Sequence, residues 1–207
     1  QILNYQVGIN QYKIAQNKKI WIKEILPKFN KDLTVGILGF GYLGSIVANS
    51  LKKNNYKIIG YKKNQLKNSH FKMYYGNQLN KFVKSSDILI NILPNTNATT
   101  NFINSNVLSF MKKKSLFISI GRGSTVNEND LVKYLKKNKS FYASLDVFQD
   151  EPLSKKSFLW SLPNVNITPH IASITQIDSA IDLIYEKYLK YKKTKKIKSD
   201  VDLNKGY

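Results

Sequence analysis

With 207 residues, 42% hydrophobic and 12% aromatic, the chain is long and apolar enough to bury the core of one domain and is not a disordered polymer. It has no cysteine, which excludes disulfides and thiolate metal sites and fits a reducing, cytoplasmic compartment; no apolar run approaches the ~20 residues of a membrane helix. The formal charge of +20 rests on 33 basic residues, of which only Arg122 is arginine, and the lysines lie along most of the chain. The guanidinium forks that read guanine are therefore missing, and the charge reads as a solvated surface rather than a nucleic-acid footprint.

The opening QILNYQVGIN has no basic stretch followed by an apolar block, so no signal peptide is expected. It also lacks an initiator methionine, as a processed or truncated product would. Within residues 1–30, YKIAQNKKIWIKEILPKF brings Ile14, Ile20, Trp21 and Ile25 to a predicted helix that Pro27 stops, followed by a connector. LTVGILGF (33–40) is a short apolar run ending in glycine, the pattern of a buried parallel strand. YLGSIVANSLKKN (42–54) has helical spacing, YKIIGY (56–61) is a second strand and QLNKFVKSSD a short helix. ILINILP (88–94) is a strand ended by Pro94, followed by a helix near 104–112 and a strand SLFISI (115–120). A helix over 128–138, a strand YASLDVF (142–148) and a last short strand in VNITPH (165–170) come next. From Ser173 to about Tyr191, Ile174, Ile177, Ile181, Ile184 and Tyr188 mark a long amphipathic helix, and the lysine-rich tail is expected to be irregular. Strands alternating with helices at this spacing predict parallel βαβ units and an α/β, doubly wound parallel sheet, with ligands at the carboxyl ends of its strands.

GFGYLG follows the first strand and opens a helix, the context in which G-x-G-x-x-G carries meaning. Gly39 permits the tight turn, Gly41 lets a pyrophosphate approach the backbone, and Gly44 lets helix and strand pack closely. Tyr42 and Leu43 complete the candidate cradle, which the helix N-terminus completes with free N–H groups. An NAD site usually has a carboxylate at the end of the second strand; here Tyr61, Lys62, Lys63 and Asn64 stand there instead. The missing acid points to NADP, with NAD still possible. The two lysines either hold a 2′-phosphate or belong to the general lysine enrichment.

Three further segments fall at strand ends: SIGRGSTV with Arg122, LDVFQDEPL with Asp146 and Glu151, and ITPHIAS with His170. Through GILGFGYLGS, LINILPNT, LDVFQDEPL, LWSLPNVNITPHIA and the C-terminal VDLNKGY, the chain resembles the D-isomer-specific 2-hydroxyacid dehydrogenases over essentially its whole length. The resemblance implies a Rossmann-type NAD(P)-binding domain with remnants of a second, substrate lobe at the chain ends. Residues 1–30 would be a helix and connector from that lobe or its hinge, 31–170 the dinucleotide-binding domain, and 171–207 a helix and tail returning to the substrate lobe. It implies that Arg122 binds a substrate carboxylate, that His170 is the general acid in reduction of a 2-oxo acid, and that Glu151 holds the imidazole. Asp146 would meet the nicotinamide carboxamide, Leu93 and Pro94 would line the adenosine side, and Gly121 would allow close approach of the cofactor. NADPH-dependent reduction of glyoxylate and hydroxypyruvate by a homodimer, with no metal, nucleic acid or membrane partner, is the implied activity.

The chemistry can be argued without the resemblance. Reducing a keto acid takes a hydride, a proton for the forming alkoxide and a cation for the carboxylate. Histidine, with a free pKa of about 6.5, transfers a proton near neutral pH. Arginine grips a carboxylate with two parallel N–H bonds that lysine cannot reproduce. In a chain that uses lysine everywhere else, an arginine between Gly121 and Gly123 therefore marks an anion site. Where the family usually has asparagine and alanine before the arginine, this chain has Ser119 and Gly121, so cofactor contacts are expected to differ. Roughly the first hundred family residues, most of one lobe, have no counterpart here. A catalytically weak dinucleotide-binding remnant, or a corepressor-like binding module, is the alternative reading.

Overall fold

A computed structural model of the chain describes residues 1–23, 25–66, 69–173 and 177–196. Its centre is a seven-stranded sheet in the order β3-β2-β1-β4-β5-β6-β7. The strands are β1 (Thr34–Leu38), β2 (Lys57–Lys62), β3 (Lys72–Tyr75), β4 (Ile88–Asn91), β5 (Leu116–Ser119), β6 (Tyr142–Leu145) and β7 (Val165–Ile167), and all neighbours pair in parallel. Helices α1 (Ile2–Gln6) and α2 (Ile9–Asn17) precede the sheet. Helices α3 (Tyr42–Lys53), α4 (Leu79–Ser85), α5 (Ser105–Ser109) and α6 (Glu128–Lys137) fill the crossovers, and α7 (Ile177–Thr194) follows β7.

Strands buried on both faces need apolar residues on both, which is why TVGIL, ILIN and LFIS are nearly unbroken apolar runs. Successive side chains still alternate between two cores. Val35, Ile37, Ile88, Ile90, Leu116 and Ile118 enter one core with Ala48 of α3. Leu38, Leu89 and Phe117 enter the other with Phe82 and Val83 of α4 and Leu131 and Leu135 of α6. The chain leaves β1 for β2 on one side and returns to β4 on the other. The carboxyl ends of β1 and β4 therefore border the crevice where a doubly wound sheet takes its ligand.

The predicted strands and the helices from Tyr42 to Lys137 are all present, with ends shifted by a few residues. The N-terminal helix differs. Gly8, at φ 74°, separates α1 from α2; α2 stops at Asn17; and Lys19, at φ 54°, turns the chain out of the helix. Ile20, Trp21 and Ile25 are not helical, and Trp21 is 87% exposed. Ile14, Trp21 and Ile25, spaced by seven and four, would share one helical face, but Trp21 stays exposed, so that stripe gains no burial to stabilise a longer helix. What anchors this segment is polar. The Gln6 amide donates to the Lys28 carbonyl at 3.0 Å and to Asn30 Oδ1 at 2.7 Å, and Gln6 Oε1 accepts from Tyr56 at 2.5 Å. Tyr5 packs edge-on against Tyr142 and donates to the Lys114 carbonyl, so α1 sits at the amino ends of the strands. Strand β3 has no counterpart in the sequence reading, because KMYY is half-buried at the sheet edge and carries no apolar run. Helix α7 has its predicted stripe of Ile177, Ile181, Ile184 and Tyr188, each more than half exposed. Ile174 and the terminal VDLNKGY lie outside the described residues.

Candidate active site

The glycine turn is built by exclusion of side chains. Gly39 takes φ 99°, a left-handed value that favours glycine, and a Cβ there would stand 2.6 Å from the Ile92 carbonyl oxygen. Gly44 lies against the Gly39 backbone, which brings α3 close to β1. Gly41 is different: a Cβ there would meet nothing within 4 Å. It is the N-cap of the twelve-residue α3 and no side chain caps that end. The space in front of Gly41 and the uncapped helix N-terminus thus form a cradle that fits a pyrophosphate. Tyr42 and Leu43 flank it, 82% and 57% exposed. The pairing Leu38↔Tyr61 sets Lys62 and Lys63 level with Gly39 and Phe40; Lys62 is half-buried and Lys63 exposed. No carboxylate stands among residues 61–66.

Across the crevice, β4 ends in Asn91, which is fully buried. Its amide donates to Ser119 Oγ at 3.2 Å and Thr125 Oγ1 at 2.8 Å, and its Oδ1 accepts from the Leu93 N–H at 3.2 Å. Thr125 Oγ1 in turn donates to the Arg122 carbonyl at 2.6 Å. One buried amide therefore sets the loop bearing Leu93 and Pro94 and the loop bearing Arg122. The two loops touch, since a Cβ on Gly121 would lie 2.6 Å from the Leu93 carbonyl oxygen. Arg122 is exposed in an extended conformation, its Nη1 donating to the Gly121 carbonyl at 2.8 Å. A guanidinium has five donors, so most stay available to an anion.

The Arg122 loop is wedged against the next one. Gly123 lies so close to Phe148 that a Cβ would fall 1.8 Å from the Phe148 carbonyl oxygen. The Phe148 N–H donates to Glu151 Oε1 at 2.9 Å, and Glu151 Oε2 meets His170 Nδ1 at 2.7 Å. Gly123, Phe148, Glu151 and His170 thus form an unbroken relay across the ends of β5, β6 and β7. A carboxylate only accepts, so Nδ1 carries a proton and Nε2 is left facing outward. Burial pushes the Glu151 carboxyl up, but the hydrogen bonds from His170 and Phe148 outweigh it and hold the carboxyl below its usual range. Gln149 braces the same loop: its side-chain amide donates to the Val126 carbonyl at 2.8 Å and its backbone N–H donates to Glu128 Oε1 at 2.7 Å. Burial of Glu128 pushes its carboxyl up, with the Gln149 bond opposing.

His170 has φ 53°, a left-handed value that costs a non-glycine residue about 1–2 kcal/mol. Asp146, 4% exposed, offsets this. Its Oδ1 accepts from Thr168 Oγ1 at 2.5 Å and the Ile171 N–H at 3.0 Å, and its Oδ2 accepts from the Ala172 N–H at 2.9 Å. Its carbonyl accepts from the His170 N–H at 2.8 Å. Burial pushes the Asp146 carboxyl up, yet the bonds from Thr168, Ala172 and Ile171, with the nearby His170, hold it below its usual range.

Arg122, Glu151 and His170 therefore lie at the ends of three adjacent strands, beside the loops that carry Gly39, Leu93 and Gly121. Asn91, Thr125, Gln149, Glu128 and Thr168 support them and were not singled out from the sequence. Of these only Asn91 left a signal, as a polar residue inside the apolar run ILINIL. His70 is elsewhere: with Lys52, Tyr56, Lys57, Phe71 and Lys72 it lines a cavity of about 480 Å³ at the amino end of β2.

The family model for the D-isomer-specific 2-hydroxyacid dehydrogenase NAD-binding domain matches residues 1–172. A curated relative, glyoxylate/hydroxypyruvate reductase A of Photorhabdus laumondii, is 35% identical over 207 residues, covering 100% of this chain and 66% of the relative. The chain thus spans about two thirds of the length of that protein. The solved D-isomer-specific 2-hydroxyacid dehydrogenase of Xanthobacter autotrophicus, in complex with NADPH and MES, superposes with a TM-score of 0.92 at 29% identity, over 100% of this chain and 85% of that one. The NADPH-dependent glyoxylate/hydroxypyruvate reductase of Sinorhizobium meliloti, with NADP and sulfate, gives 0.90 at 28% identity, over 100% and 67%.

Proposed function

Because the chain belongs to the D-isomer-specific 2-hydroxyacid dehydrogenase family, we propose that it is the nucleotide-binding portion of an NADPH-dependent reductase of glyoxylate and hydroxypyruvate. The observation that carries this reading is the 2.7 Å contact between Glu151 and His170 at strand ends adjoining that of Arg122. The names of the relatives from Photorhabdus laumondii and Sinorhizobium meliloti support the substrate pair and the cofactor.

When bound, NADPH supplies the hydride. The residues of this chain do the rest. The turn from Gly39 to Gly44 would hold the pyrophosphate on the N-terminus of α3, and Lys62 and Lys63 would hold the 2′-phosphate; NAD is the second candidate cofactor. Leu93 and Pro94 would line the adenosine side, with Gly121 packed directly against the Leu93 backbone beside the cofactor. Arg122 grips the substrate carboxylate with paired N–H bonds and draws charge onto the keto oxygen. In its doubly protonated form His170 would give the Nε2 proton to that oxygen, leaving a neutral ring with its remaining proton on Nδ1, and would take a proton back on Nε2 when a 2-hydroxy acid is oxidised. Glu151 keeps the imidazole oriented through Nδ1. The reaction is assigned to the cytoplasm, which the absence of cysteine supports. Among the described residues no helix is long and apolar enough to cross a membrane. The working unit is assigned to two copies of the chain, supported by the exposed apolar stripe of α7.

The test is NADPH oxidation, followed by absorbance, on adding either keto acid. Arg122→Lys should lose at least about a hundredfold in turnover, the scale for removing one preorganised charge-stabilising donor. Turnover retained by that variant would refute the role of the guanidinium. NADPH binding with no turnover by the unmodified chain would leave the binding module as the reading.

A further inference from the structure

We propose that Asp146 is a positioning residue whose carboxylate clamps residues 168–172 and so holds His170 in the left-handed turn that presents its imidazole to Glu151. The inference rests on the proposed role of His170. Four donors around that histidine converge on one buried residue: Thr168 Oγ1 and the N–H groups of Ile171 and Ala172 on the carboxylate, and the N–H of His170 on the carbonyl. They come from both sides of the one residue at φ 53°. A peptide left to itself would relax out of that conformation, because the Cβ crowds the following carbonyl. The carboxylate is the group that fits, because both oxygens only accept and three donors face them. Three of the roughly four acceptor positions of this carboxylate are taken by its own chain, so its main load is the loop, with one position left for a nicotinamide carboxamide.

Asp146→Asn keeps the shape but replaces one acceptor with an N–H₂ group, which faces the Ala172 N–H or the Thr168 and Ile171 donors. The readout is the imidazole Nδ1–H resonance in proton NMR of the full chain. The chain has two histidines, so His70→Gln assigns the signal. The unmodified chain should show a downfield His170 N–H, hydrogen-bonded to Glu151, and Asp146→Asn should lose or broaden it. In the presence of saturating NADPH and glyoxylate the same variant should lose about a hundredfold in kcat, the scale of a misplaced catalytic group. A general loss of stability would not select that resonance. If Asp146→Asn does not fold, Thr168→Val removes one donor and should broaden the signal without abolishing the fold.

An unshifted His170 resonance in Asp146→Asn, or in Thr168→Val where that is the folded variant, overturns the clamp. So does a weakened NADPH Kd with the resonance intact, which would show direct cofactor contact. Because the NMR readout needs no substrate, an unmodified chain without turnover would sink the reductase and leave the clamp standing. A retained signal in the variant would sink the clamp and leave the reductase standing.

Discussion

The contact between Gly123 and Phe148 makes a sharp prediction for Gly123→Ala. The new methyl would fall 1.8 Å from the Phe148 carbonyl oxygen and 1.9 Å from its carbon. Carbon–oxygen contacts in proteins close to about 3.3 Å, so one loop must retreat by about 1.5 Å. Both neighbours are backbone, and neither can rotate away as a side chain would. Phe148 is where the strain lands, because its N–H holds Glu151 Oε1 at 2.9 Å and Glu151 holds His170. A shift of that size breaks the Phe148–Glu151 bond and misplaces the imidazole. Misplacement by about 1 Å costs on the order of a hundredfold in rate. Overpacking itself costs about 1–3 kcal/mol, and a chain of this size loses about 2–4 °C in Tm per kcal/mol, so Tm should fall by about 2–12 °C. The assays are thermal unfolding followed by circular dichroism, NADPH fluorescence titration, and NADPH oxidation by glyoxylate. NADPH should still bind, because the cradle at Gly41 lies on another loop. An unchanged Tm would show that the two loops do not press together, and the relay from Arg122 to His170 would fall with it.

Gly41→Ala should do the reverse: its methyl meets nothing in the protein, so Tm should hold to within about 0.5 kcal/mol of stability while NADPH affinity falls, read by the same titration. Retained affinity would move the pyrophosphate away from Gly41. The double variant Lys62→Gln with Lys63→Gln should lower the preference for NADPH over NADH by about tenfold, the size of one charge-assisted hydrogen bond, and unchanged selectivity would return both lysines to the general surface enrichment. The Asp146 and Glu151 carboxyls both lie below their usual range in the fold. Their contribution to stability is therefore complete above the unfolded carboxyl pKa of about 4 and is lost as pH falls through the lower folded value. Measured by melting from pH 7 to pH 3, the stability gap between the unmodified chain and Asp146→Asn should stay level above about pH 5 and close below about pH 4.

The strand ends could be read from the chain because burial on both faces demands unbroken apolar runs, and those runs end where the ligand crevice begins. Arg122 stands out by composition, as one guanidinium between glycines among lysines, and its loop follows the end of β5. What could not be read depends on pairings far apart in sequence. Asp146 meets Ile171 and Ala172 across 25 and 26 positions, and Asn91 reaches Thr125 across 34, so neither leaves a period or a local pattern. The N-terminal helix shows the opposite failure. Its residues Ile14, Trp21 and Ile25 share one helical face by spacing, but Trp21 remains exposed, so burial does not support that face and the segment is held by the Gln6 amide instead. Glycine carried both kinds of information. GFGYLG announced a phosphate turn by its spacing, whereas Gly123 looked like a neighbour of the arginine. It is constrained by the backbone of Phe148, twenty-five residues away, and that contact joins the loop that carries Arg122 to the one that carries Glu151.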